Sequence, residues 1–211
     1  MGQAKQRRMA QEQNRQLCRN IDLARVAESV QKVCAAASSH LGSDCLLQAK
    51  MAQHILGRLG MVSELVIGHA AWRVGPGDGD VVSHFPNGHV ESPTAALYHA
   101  WLIVGDHIFD VTTKELPLKA RQLDALDGGT TTVEWAPDYV WMPYGAVQTI
   151  AEVADSLRPG VCSYRRSTDV QALVLRHCRA SDGQNEALAW LAYQSPDATV
   201  IGPRHLDSAF V

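Results

Sequence analysis

Apolar residues first fall into a helical rhythm at Ile21, Leu23, Val26, Ala27, Val30 and Val33, within a stretch (3–37) that contains neither Gly nor Pro. This spacing predicts a helix whose second half packs on a core. After the break SSHLGSD, a second helix is predicted from Cys45 to Leu59, with Ser43 or Asp44 to cap its start and Gly60 to end it. The rhythm then changes to alternation. Residues 62–74 read as a strand with Val66, Ala70, Trp72 and Val74 on one face, and YHAWLIV and HIFDVT read as two strands around a Gly105-Asp106 turn. Between them, 75–95 holds three Pro or Gly clusters and reads as a long loop that can border a substrate cleft. Residues 114–127 read as a short helix or irregular crossing, TTTVEW as a further strand, and 146–157, 168–179 and 183–194 as helices. Helices, then an antiparallel sheet, then helices make an α+β fold. The division expected is an N-terminal helical segment over 1–37 and one α+β domain over 38–211.

With 211 residues, 46% hydrophobic and 19% charged, the chain has the composition of a folded protein and not of a disordered one. A net charge of −3 gives no general affinity for phosphate backbones, so no nucleic-acid partner is expected. The first twenty residues carry Lys5, Arg7, Arg8, Arg15 and Arg19 against Glu12. With no aromatic residue among them for stacking on bases, they read as a solvated helix end whose protein partner is unknown. No apolar run is long enough to cross a bilayer and the N-terminus lacks a secretion signal, so no membrane association is expected. Five cysteines at irregular spacings, without CxxC, are expected to be free thiols in a reducing, cytoplasmic compartment.

Three residues carry candidate chemistry. Cys45 stands in the first turn of its helix, where unpaired N–H groups and the dipole favour a thiolate and where its own N–H can face an oxyanion. Around a two-residue turn at Gly105-Asp106, Val104 pairs with His107 and Ile103 with Ile108. His99, Trp101, Ile103, Ile108, Asp110 and Thr112 then share a face, and His99 and Asp110 become diagonal neighbours able to meet. A carboxylate there fixes the imidazole tautomer and stabilises imidazolium. The opposite face (Ala100, Leu102, Val104, Phe109, Val111) is apolar and is expected to take the core, leaving the His99 face free of that demand.

DCLLQAKMAQHILGRLGM, then LVIG, YHAWLIV and FDVTT resemble the core of the transglutaminase-like cysteine enzymes, part of the papain-like clan. The resemblance covers 40–113. It implies a papain-like core in which the nucleophile helix packs on an antiparallel sheet, with Cys45 as nucleophile, His99 as general base and acid, and Asp110 as its orienting residue. It implies no cofactor and no metal. The reaction it implies is acyl transfer from a peptide, isopeptide or small amide through an acyl-thioester, ending in hydrolysis or transamidation. The chain departs from many members in its short His99–Asp110 hairpin, in the Ser-Asp before Cys45, and in having no Trp after it. The other expectation, from a different class, is a catalytically inactive binding module that keeps the same cleft.

Lesser candidates surround these. The Cys45 backbone is one oxyanion donor, and Gln31 is a guess for the second. Trp72, Tyr98 and Trp101 are candidates to shape a cleft. His84 and His89, with His99 or His69, are a weak candidate metal set, read against the tighter motifs that zinc prefers. His177 and Cys178 diverge by about 100° on a helix and make a poor chelate. Cys162, with Arg158, Arg165 and Arg166, reads as a solvated loop rather than an anion site. GPGDG at 75–79 lacks the Lys and Ser/Thr of a phosphate loop, and Asp78 and the following Asp80 would repel phosphate.

Overall fold

The computed structural model describes residues 20–38, 41–85, 97–177 and 183–203. The basic arm at 1–19, His89 and Cys178 lie outside these residues, as does most of the second half of the 75–95 loop.

Helix α1 (Leu23–Ala37) is capped by the Asp22 side chain, which accepts from the Arg25 N–H, and α2 (Cys45–Arg58) follows. Strand β1 (Glu64–Arg73) is the centre of a six-stranded antiparallel sheet with β2 (Val81–Ser83), β3 (His99–Val104), β4 (His107–Asp110), β5 (Val140–Pro143) and β6 (Cys162–Arg166). Gly68 pairs with both His99 and Arg166, and Ala71 with both Ser83 and Ser163. So β3 and β2 lie end to end along one edge of β1, and β6 lines the other. Helices α3 (Leu116–Asp127), α4 (Ile150–Asp155), α5 (Thr168–His177) and α6 (Gly183–Gln194) complete the described elements. None of the helices described is long and apolar enough to cross a membrane.

Period-2 alternation assigns the side chains to two layers. Ile67, Ala100, Leu102, Val104, Phe109 and Val111 pack against α1, α2, α5 and α6. Val66, Ala70, Trp72, Trp101, Ile108 and Tyr164 form the second cluster with Leu116 and Ala120 of α3. The face expected to be free of core duty is therefore buried as well, because α3 covers it. The α+β layering and the hairpin register are as the alternation predicts, with Val104 opposite His107 and Gly105 at φ +64° in the turn.

Four elements differ from expectation, one of them β5, where no strand was expected. TTTVEW forms no ladder: Thr131 and Thr132 give their N–H groups to the carboxylates of Asp124 and Asp80, and Glu134 and Trp135 both donate to the Val74 carbonyl. The segment containing Cys162 is not a solvated loop but β6, and the Cys162 and Tyr164 side chains are buried. The loop after β1 includes β2, which extends the edge held by β3.

Gly68 is a close-approach position: a Cβ there would stand 2.1 Å from the Arg165 carbonyl oxygen. The atoms it would meet belong to the β6 backbone and the residue after it, so relief requires β1 and β6 to separate. Gly68→Ala is expected to lower stability by about 1–3 kcal/mol, as overpacking does, with a shifted urea midpoint as the readout.

Candidate active site

The described residues build the site from the start of α2, the start of β3, the end of β4 and the buried face of α3. His99 is the first residue of β3 and is fully buried. Its Nε2–H donates to Asp110 Oδ2 at 2.8 Å, as the diagonal hairpin geometry predicts. Tyr164 donates its hydroxyl to the same oxygen at 2.9 Å and in turn accepts from Trp72 Nε1 at 2.9 Å. The other oxygen, Oδ1, accepts from the Thr112 N–H at 3.0 Å and the Thr112 hydroxyl at 2.9 Å. Lys119, on the inner face of α3 and 2% exposed, donates to Thr112 Oγ1 at 3.0 Å and lies 5.5 Å from the Trp72 ring centroid. Trp72, His84 and Trp101 surround the His99 ring at centroid distances of 4.8, 5.4 and 6.1 Å.

This environment sets the protonation states. Burial raises the Asp110 carboxyl, but the His99 charge and hydrogen bond, Lys119 and the Thr112 amide outweigh it and hold it well below the usual carboxylate range. Burial lowers the His99 imidazole, against the opposing pull of Asp110. At neutral pH His99 is therefore neutral, its proton is on Nε2, and Nδ1 is a bare lone pair. Nδ1 is buried without a hydrogen-bond partner among the described residues.

Cys45 opens α2 and is 3% exposed. Its sulfur accepts from the backbone N–H of Ala100, the residue after His99. Burial pushes the thiol up to about 11, although the Lys119 charge and the Ala100 amide act the other way, with Asp110 and Asp44 adding to the rise. A helix start alone suggests a thiolate; here desolvation prevails and the resting group is a thiol. An ordinary thiol is about half ionised at pH 8.5, and one near 11 is ionised on the order of 100-fold less. Iodoacetamide labelling of Cys45 is accordingly expected to be slower than that of a free thiol by about this factor, and to rise towards pH 11. Peptide mass spectrometry across a pH series is the check.

Cys45 borders a small cleft of about 230 Å³ whose lining also includes His84, Tyr98, Lys119, Leu123 and Leu126. Tyr98 thus lies where a cleft-shaping residue is expected. Trp72 and Trp101 do not: they are buried on the sheet face that α3 covers, and they pack on His99 instead. Gln31 is no oxyanion donor either, because its amide is held by the Val111 and Asp138 carbonyls at 3.2 and 2.6 Å. Among the described residues no group of three or more His, Cys, Asp or Glu side chains is arranged to hold a metal. Cys162 is buried, with its thiol pushed up to about 12 by burial and Asp110.

Lys119 and Tyr164 are the site residues that the sequence reading missed. Lys119 had a legible signal: Leu116, Lys119, Ala120 and Leu123 follow the i, i+3, i+4, i+7 pattern of an inward helix face. For Tyr164, the alternation of Cys162 and Tyr164 in a five-residue strand is too short to separate from a loop.

No family model matches the chain, and no curated protein matches it. A solved structure described as "The crystal structure of genomics APC5867" superimposes with a TM-score of 0.59 at 16% identity, over 84% of this chain and 82% of that one. At this identity the likeness is one of fold: the α+β arrangement of an antiparallel sheet flanked by helices.

Proposed function

We propose that the chain is a transglutaminase-like cysteine enzyme with a papain-like core. It would transfer the acyl group of a peptide or small amide to water or an amine through Cys45. The observation that carries this reading is the bare, buried Nδ1 of His99. It lies on the ring edge away from Asp110, one residue along β3 from the amide that touches the Cys45 sulfur.

In this mechanism His99 Nδ1 takes the thiol proton as the sulfur attacks the carbonyl carbon, so the raised thiol pKa is met by proton transfer within the reaction rather than by a standing thiolate. Asp110 keeps Nε2–H in place and stabilises the imidazolium that forms. The Cys45 N–H, at the start of α2, faces the developing oxyanion. His99 then returns the proton to the leaving amine, the C–N bond breaks, and the acyl-thioester is resolved by water or by an amine acceptor.

A second reading, an inactive binding module in the same fold, has its own support in the burial of Cys45 and the raised pKa of its thiol. Turnover of p-nitrophenyl esters and amides by the intact chain separates the two. On the enzyme reading His99→Ala lowers turnover by about 10²–10⁴-fold, the usual share of general acid–base catalysis. Wild-type protein with no turnover and no acyl-enzyme favours the binding module.

A further inference from the structure

We propose that the cleft beside Cys45 is built for a small acyl donor carrying a carboxylate near its reacting carbon, with Lys119 recognising that carboxylate. This specificity rests on the cysteine reading above and deepens it.

Lys119 is the charged side chain among the described residues that line the cleft; the rest of the lining is neutral and largely apolar, with Tyr98, Leu123 and Leu126 prominent. The acids nearby do not line it, although Asp110 and Glu115 both interact with the Lys119 charge. Asp110 is closed off by donors from His99, Tyr164 and Thr112. Asp44 and Glu115 are bridged by the Gln48 amide, at 2.8 and 2.9 Å.

An ammonium carries three donors. The contacts among the described residues give this one a single hydrogen-bond acceptor, Thr112 Oγ1, and no carboxylate in ion-pair contact. Asp110 and Glu115 offset its charge in part, but two of its three donors have no acceptor among these contacts, and an anion in the adjoining cleft supplies one. A cleft of about 230 Å³ takes a short acyl group beside Cys45.

Iodoacetate and iodoacetamide test this directly, since they differ only in carboxylate against carboxamide and each is displaced at iodide by the same thiolate. Cys45 of the intact chain is expected to prefer iodoacetate over iodoacetamide by about tenfold relative to free cysteine, the scale of one charge pair in a partly desolvated site. Lys119→Gln removes the preference and Lys119→Arg retains it. Because substitution at Lys119 can unfold the chain, a second measurement uses wild type alone: butyrate slows labelling of Cys45 at concentrations where butyramide does not. A free-cysteine labelling ratio together with equal protection by acid and amide overturns the proposal. The preference does not depend on His99, whereas turnover does. Loss of the one and loss of the other are thus separate results, and a preference found without turnover leaves a carboxylate-binding cleft and removes the enzyme.

Discussion

Cys45→Ala is expected to lower turnover of any amide or ester substrate by on the order of 10⁴–10⁶-fold, the scale seen when a covalent nucleophile is removed from a triad. The residual rate comes from binding and from the oxyanion donor, which is a backbone group and survives the substitution. The fold should persist. Cys45 packs with the α1 and α2 cluster, and its loss removes one small buried group worth about 1 kcal/mol. Turnover and a thermal melt on the same preparation separate chemistry from folding. Full activity in a folded variant removes Cys45 from the mechanism.

Asp110→Ala is expected to cost about 3–5 kcal/mol of stability, the range for deleting one member of a buried charged network. The carboxylate is the common acceptor for His99, Tyr164 and the Thr112 amide and hydroxyl, and Lys119 reaches it through Thr112. Removing it leaves several donors buried without an acceptor and takes a negative charge from the surroundings of Lys119. The pH dependence has a definite sign. The Asp110 carboxyl is held below its unfolded value in the folded protein, so its stabilisation is fully present above about pH 4 and is lost as pH falls further. The difference between wild type and Asp110→Ala in urea denaturation is expected to be largest at neutral pH and to shrink on acidification below about pH 4. A difference that stays constant from pH 7 to pH 2 assigns Asp110 an uncharged, purely packing role.

The hairpin was the most legible part of the molecule. A period of two and a Gly105 turn fix which side chains meet, and this placed His99 against Asp110 from spacing alone. The helix at 45–59 was legible within a residue or two, whereas the one expected over 3–37 is interrupted at Ile21–Asp22, where the Asp22 side chain caps a new start at Leu23. What escaped depended on partners distant in sequence. Val140–Pro143 and Cys162–Arg166 are too short to show alternation, and they become strands only because β4 and β1 offer them open edges. TTTVEW has the residue types of a strand, but the Asp80 and Asp124 carboxylates capture its amides. The site followed the same division. Its hairpin pair could be read locally, whereas the burial of Cys45 comes from its packing with α1 and the sheet, and the inward Lys119 and the Tyr164 bridge follow from α3 closing over the other face of the sheet and β6 joining β1.

The most direct test of the central claim is capture of the acyl-enzyme. The intact chain is mixed with an activated ester at neutral pH, quenched in acid, and read by intact and peptide mass spectrometry in wild type, Cys45→Ala and His99→Ala. The account predicts one acyl group on Cys45 in wild type, none in Cys45→Ala and much slower accumulation in His99→Ala. Acylation spread over lysines or other cysteines, or acylation of Cys45 at the same rate without His99, contradicts it.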